Sequence, residues 1–98
     1  MDCTEILSSE VEQLDLPNVD SFLIIGNTRR VAWVINRLRL KNKDQHFSSI
    51  AHETRTVSGH YDVAIIDGAD NWINARLLFE ELYPYLKQNV KKFYIITE

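Results

Sequence analysis

Two polar turns, each following a short apolar run, hold the residues best suited to binding a small ligand. Gly26, Asn27 and Thr28 form the first turn, and Asp67 and Asp70 bound the second. Ligands of open parallel sheets bind beyond the carboxyl ends of the strands, where the strand order reverses. If both runs are strands, the two turns can face one such crevice. The alternative is a structural role, because glycines suit turns and Thr28 and Asp70 suit helix caps.

Two arginines follow the first turn in a position that favours a negative partner. Arg29 and Arg30 lie in the first turn of a predicted helix, where the helix dipole is already positive. A cation there is unfavourable by roughly 0.3 to 1 kcal/mol. A bound phosphate, an acidic partner or an internal salt bridge to a carboxylate would each compensate.

The same predicted helix carries a face that combines positive charge with an aromatic ring. Its members are Arg30, Trp33, Arg37 and Lys41. An exposed tryptophan between arginines is typical of protein interfaces and could also stack on a nucleic-acid base. The net charge of -3 argues against nucleic acid as the main partner. Alternatively, Trp33 lies against the amino-terminal segment with arginine stems covering it.

The remaining chemistry-bearing residues indicate neither a metal site nor a catalytic nucleophile. His46, His52 and His60 are widely spaced, and Glu53 is the only adjacent carboxylate, which is unlike a zinc site. No serine or cysteine lies in a nucleophile motif, and no Walker loop is present. The sequence therefore predicts no bound metal and no catalytic residue.

Hydrophobic periodicity predicts the elements that position these side chains. The apolar runs in 21–26, 61–67 and 93–96 are too short for helices, which is typical of strands buried on both faces. A further short strand is predicted at 47–51. Apolar stripes at helical spacing predict one helix after the strand in 21–26 and another after the strand in 61–67. Pro84 should kink or end the second of these helices.

The acidic segment 1–20 contains apolar residues at helical spacing, which predicts an amino-terminal helix over residues 4–14. A chain of 98 residues suits one domain, here 1–98. The alternation of strands and helices predicts the α/β class, as a small three-layer Rossmann-like domain. We expect a mostly parallel sheet of about four strands, with helices on both faces. If the strand order runs from 47–51 through 21–26 and 61–67 to 93–96, the crevice lies between the two polar turns.

Composition sets the expected compartment. No apolar run approaches the roughly 20 residues needed to span a bilayer, and the acidic start is unlike a secretory signal. The single cysteine, Cys3, cannot form an internal disulfide. A reducing, cytoplasmic location is therefore expected.

Three stretches of the chain resemble a known enzyme family. Residues 61–70 read Tyr-Asp-Val-Ala-Ile-Ile-Asp-Gly-Ala-Asp, and residues 82–87 read Leu-Tyr-Pro-Tyr-Leu-Lys. They resemble the fourth strand and the end of the following helix in class I S-adenosylmethionine-dependent methyltransferases, and residues 22–26 resemble the family's first strand. The resemblance implies S-adenosylmethionine as the cofactor, with Glu53 as the acidic residue that would hold ribose hydroxyls.

The chain departs from that family at the residues that bind cofactor and substrate. Asn-Thr-Arg-Arg at 27–30 stands where the family has a glycine-rich turn. The stretch between the first helix and the strand at 61 is too short for the family's two strands and helix. The two strands that close the family's sheet are also missing after residue 98. We therefore expect a reduced, non-catalytic relative.

These observations predict a small non-enzymatic interaction module, for example a regulator or inhibitor that docks on a larger protein assembly and needs no cofactor. Its partner would be a protein bound through the basic face and the sheet edges. The alternative is an adenosine-ligand-binding or methyltransferase-type domain that binds S-adenosylmethionine or a nucleotide. Its ligand-binding residues would be Gly26, Asn27, Thr28, Arg29, Glu53, Asp67 and Asp70.

The last strand is expected at an edge of the sheet, because no following element shields it. Its apolar residues are Phe93, Tyr94, Ile95 and Ile96. Unpaired backbone groups along an edge are a template for another strand. The sequence therefore predicts a homodimer, or a contact with another protein, through residues 92–97.

Overall fold

The computed structural model describes residues 3–14, 19–26, 28–40, 44–68 and 72–97, within which strands and helices alternate. The strands are β1 (Cys3–Leu7), β2 (Ser21–Ile25), β3 (His46–Ile50), β4 (Tyr61–Asp67) and β5 (Val90–Thr97). The α-helices are α1 (Thr28–Arg39) and α2 (Trp72–Leu86), and a short 3-10 helix spans Ser8–Gln13.

The five strands form one parallel sheet in the order β1-β5-β4-β2-β3. The order of β3, β2, β4 and β5 is the one that the predicted crevice requires, and β1 extends the sheet beyond β5. The chain passes from β2 outward to β3 and then returns across β2 to β4, so the strand order reverses between β2 and β4. Ile25 pairs with Ile66 at the ends of these strands. The two turns that follow are therefore neighbours.

Side chains on the two faces of the sheet form two separate hydrophobic clusters, which gives the expected three layers. Phe22, Ile24 and Ile65 pack with α1 and the 3-10 helix on one face, in the α1-side cluster. Leu23 and Ile66 belong to the α2-side cluster, which α2 covers on the other face. These strand residues are fully buried, as continuous apolar runs predict.

The expected helix over residues 4–14 is wrong. Residues 3–7 form β1, whose Ile6 lies opposite Ile96 of β5, and only the short 3-10 helix follows it. The apolar residues of this segment fit helical spacing, but the backbone of β5 requires a hydrogen-bonding neighbour. Pairing with β5 satisfies both strands, and the Thr97 hydroxyl also donates to the Ile6 carbonyl at 3.2 Å.

The expected edge position of the last strand is wrong for the same reason. β5 lies inside the sheet, with β1 on one side and β4 on the other. Residues 92–97 are therefore paired within the chain and offer no open backbone edge for a homodimer or another protein. The residues expected at that edge are instead buried core residues, namely Phe93, Tyr94, Ile95 and Ile96.

Helix α2 continues through Pro84 to Leu86 and does not end near Leu82. Leu82 and Leu86 are both fully buried, whereas Pro84 is exposed, so packing of the apolar stripe holds the last turn in place. Within the described ranges, no helix has the length and apolar character needed to cross a membrane.

Candidate functional site

Beside the crevice at the strand reversal, two backbone amides are hydrogen-bonded within the chain. The amide of Gly26 donates to the Ile50 carbonyl at 3.1 Å, and the amide of Gly68 donates to the Ile96 carbonyl at 3.1 Å. Both glycines are buried. These two amides lie just past β2 and β4, where ligands of open parallel sheets bind. Both amides already donate to neighbouring strands.

An ion pair crosses this crevice. Arg30 Nε lies 3.1 Å from Asp67 Oδ2, and the side chains of these two residues are 27% and 4% exposed, respectively. A carboxylate that is removed from water to this degree needs a cationic or hydrogen-bonding partner. The negative partner expected for Arg30 in the first helical turn is therefore Asp67, and the two residues form an internal salt bridge.

Gly26 permits this close arrangement of the two strand ends. A Cβ atom at Gly26 would lie 3.1 Å from the Asp67 Cβ and 3.6 Å from Val31 Cγ2. The first distance is tighter than ordinary van der Waals contact, and the Asp67 Cβ is fixed to the strand backbone. Here glycine is explained by the approach of Asp67 rather than by the approach of a ligand.

The predicted basic and aromatic residues stack along one flank of α1. The guanidinium carbons of Arg30 and Arg37 lie 4.4 Å and 5.3 Å from the Trp33 ring centroid. Trp33 is half-buried and packs against the α1-side cluster, which corresponds to the alternative of a covered ring rather than to an exposed one. Helical spacing cannot show that the 3-10 helix lies beside this flank. Lys41 lies outside the described residues.

The 3-10 helix completes this surface. Arg37 Nη1 lies 3.8 Å from Glu12 Oε2, and both side chains are about half exposed at 46% and 47%. Ser8 and Ser9 join Glu12, Trp33 and Arg37 around an open cavity of about 220 Å³. The acidic amino-terminal segment and the basic helix α1 therefore meet, and the arginine stack borders the cavity between them. We call Arg30, Trp33 and Arg37 the basic-aromatic face.

Two of the other predicted ligand-binding residues are exposed, and three lie wholly or partly outside the described part of the chain. Glu53 is exposed in the segment 51–60, and Arg29 is exposed on α1. Thr28 begins α1, but its side chain is not among those described. Asn27 and Asp70 lie outside the described residues. Among the described residues, no group of three histidine, cysteine, aspartate or glutamate side chains could hold a metal ion.

A second polar cluster, which the sequence analysis missed, lies at the amino ends of the strands. Asp62 Oδ2 accepts from the Asp20 amide at 2.7 Å, and Lys91 Nζ lies 3.2 Å from Asp62 Oδ1. The Asp20 amide, followed by Lys91, lowers the pKa of Asp62. The only sequence signal was a polar residue at the start of each predicted strand, which does not indicate a contact between them.

No protein-family model, curated protein or solved structure matches this chain. The α/β topology is therefore established by the strand order alone, and the motif resemblance to methyltransferases stays a prediction.

Proposed function

We propose that this chain is a small non-enzymatic, cytoplasmic interaction module that docks on a larger protein assembly and regulates or inhibits it. The observation that carries the proposal is the Arg30–Asp67 ion pair. It occupies the strand ends where an α/β protein of this topology binds its ligand. The Asp67 side chain is 4% exposed and already has a cationic partner at 3.1 Å.

The surroundings of the ion pair support a structural use of the crevice. The amides of Gly26 and Gly68 donate to backbone carbonyls, and the Gly26 position has little room beside Asp67. Binding of an adenosine ligand through Asp67, the alternative function, would have to compete with Arg30 for Oδ2 or use the other acceptor sites of a side chain that is only 4% exposed. Displacing Arg30 would leave a nearly buried carboxylate in need of a new donor.

The basic-aromatic face supports docking on a protein. Tryptophan and arginine are the residue types enriched in binding hot spots, because they combine a large contact area with directed hydrogen bonds. Trp33 is held between Arg30 and Arg37, so little side-chain entropy remains to be lost on binding. Arg29 and Arg37 remain exposed, which favours an acidic partner surface.

Affinity capture from the native host tests the proposal. Wild-type domain and a Lys87→Glu variant should recover the same partner, because Lys87 is an exposed cation that follows α2. Arg37→Glu removes the same kind of charge from the basic-aromatic face and should lose that partner. Recovery of no protein above bare resin would contradict the proposal, and equal recovery of the partner by Arg37→Glu and Lys87→Glu would remove the basic-aromatic face as the docking surface.

A further inference from the structure

The edge of the sheet formed by β3 is open within the described residues. β3 pairs only with β2 and is the last strand in the order. The His46 amide donates to the Asp20 carbonyl at 2.9 Å, and the Ile50 carbonyl accepts from Gly26. Backbone groups of successive residues in a strand point to opposite sides. The amides and carbonyls of Phe47 and Ser49 therefore point away from β2, to the open edge.

A groove runs beside this edge, between β3 and the neighbouring flank of α1. It encloses about 290 Å³, and apolar side chains of α1 form one of its walls. The residues that line it include Val31, Ala32, Ile35, Ser49 and Ile50. The basic-aromatic face lies on the opposite flank of α1, so the groove is a separate surface.

The Arg39 guanidinium group lies beside one end of the β3 edge. The Arg39 guanidinium carbon lies 5.5 Å from the Phe47 ring centroid, and the arginine is exposed. Helix α1 contains no acidic residue. Phe47 and Ser49 lie on the same face of β3, and residues two apart in a strand are about 6.8 Å apart. Arg39 lies beside Phe47 and the groove lies beside Ser49, so two alternate residues of an added strand could contact them.

We propose that the β3 edge binds an extended acidic segment of a partner protein as an additional strand. This inference rests on the proposed function and specifies the partner's chemistry. The segment hydrogen-bonds to the outward groups of Phe47 and Ser49. On its α1-facing side it carries an acidic residue next to Arg39 and, two residues away, an aliphatic residue that enters the groove.

Charge favours an acidic segment over a second copy of this chain. Two β3 strands paired antiparallel would place two α1 helices on the same face of the joined sheet. Each helix carries four arginines and no acidic residue of its own. Arg30 and Arg37 pair with Asp67 and Glu12, but Arg29 and Arg39 are exposed. Like charges brought together in this way disfavour the homodimer and leave the edge available to an acidic strand.

Selection from a phage-displayed library of linear heptapeptides tests this inference. Wild-type domain should enrich peptides that carry an acidic and an aliphatic residue two positions apart. Ser49→Pro removes an outward amide donor while leaving the pairing with β2 intact, since proline is tolerated on the open side of an edge strand. Ser49→Ala keeps the donor and serves as the matched control. Circular dichroism and thermal melting verify that both variants are folded.

The enriched peptide, synthesised with a fluorescent label, gives the quantitative comparison by fluorescence anisotropy. Ser49→Pro should weaken its binding about tenfold or more, and Ser49→Ala should leave it unchanged within about twofold. Arg39→Glu should weaken binding of the acidic peptide and restore binding of a peptide whose acidic residue is replaced by lysine. Arg37→Glu, on the other flank of α1, should leave peptide affinity unchanged.

Three results would overturn the inference. They are enrichment of no acidic-aliphatic pattern, equal affinity of wild type and Ser49→Pro, and failure of the Arg39→Glu charge swap. The capture experiment separates the two proposals. A partner lost with Arg37→Glu but kept with Ser49→Pro leaves the proposed function standing and removes strand addition. Loss only with Ser49→Pro supports strand addition and removes the basic-aromatic face as the docking surface.

Discussion

Arg30 holds Asp67 in a nearly buried position, and the two residues stabilise the fold as a pair. Removing Arg30 leaves the carboxylate with reduced compensation, whereas Arg37 and Glu12 pair at 3.8 Å and are about half exposed. We expect Arg30→Ala to lower the free energy of unfolding by about 2 kcal/mol, less than for a fully buried pair because Arg30 is partly exposed. Arg37→Ala should cost at most about 1 kcal/mol. Urea denaturation measures both, and equal losses would contradict the structural role of Arg30.

Asp62 makes stability depend on pH at the amino ends of the strands. The Asp20 amide and Lys91 lower its pKa, so the folded state binds a proton less readily than the unfolded chain. Its contribution is fully present above the unfolded pKa of about 3.9 and is lost as pH falls through the lower folded value.

Asp62→Asn should therefore lower the free energy of unfolding by about 1 kcal/mol near neutral pH, because the amide oxygen can still accept from Asp20 but the negative charge that strengthens this bond and attracts Lys91 is lost. It should also remove part of the acid destabilisation of the wild type. Urea denaturation tests this at neutral pH and at a pH below about 4, which is close to the unfolded carboxyl pKa. A mutant with the same acid destabilisation as the wild type would contradict the account.

At the scale of elements, β1 is the strand on which the architecture departs most from expectation. Cys3 lies in β1 opposite Phe93 and is partly buried against the α2-side cluster. Burial raises the pKa of its thiol to about 11, against the lowering effect of Arg76. Because the thiolate is the reactive species, a docked β1 protects Cys3 from alkylation.

Iodoacetamide should alkylate Cys3 in the folded domain about 100-fold more slowly than in urea at pH near 8, given the two-unit difference in pKa. Ile6→Asp should raise the folded-state rate, because it places a charge against the α1-side cluster and weakens β1 docking. Thr4→Ser, at an exposed position of the same strand, is the control. Equal folded and unfolded rates in the wild type would show that β1 does not pair with β5.

Strands β2, β4 and β5 and both α-helices could be predicted because each carries its own periodic signal. The continuous apolar runs have no polar face, so they require a sheet covered on both sides. β1 gives no such signal, since the partial burial of Cys3 and Ile6 depends on β5, which lies ninety residues further along the chain. The sequence left open whether Trp33 is exposed or covered, because its burial depends on where the 3-10 helix packs.

Across the whole molecule, folding brings the acidic and basic segments of the chain together. Glu12 of the 3-10 helix meets Arg37 of α1, and Glu5 of β1 lies 3.7 Å from Arg76 of α2. These contacts neutralise part of the negative charge of the acidic segment 1–20. The outer surface of α1 keeps Arg29 and Arg39 exposed, so a positive region persists on a molecule of net charge -3. This asymmetry favours an oriented encounter with an acidic protein.

The central claim is that the strand ends between β2 and β4 serve the fold and not a cofactor. Isothermal titration of the wild-type domain with S-adenosylmethionine, S-adenosylhomocysteine and ATP tests it most directly. The account predicts no saturable heat for any of the three ligands, because Asp67 is held by Arg30 and the adjoining amides of Gly26 and Gly68 are bonded. Micromolar or tighter binding that a folded Asp67→Ala variant loses would contradict it.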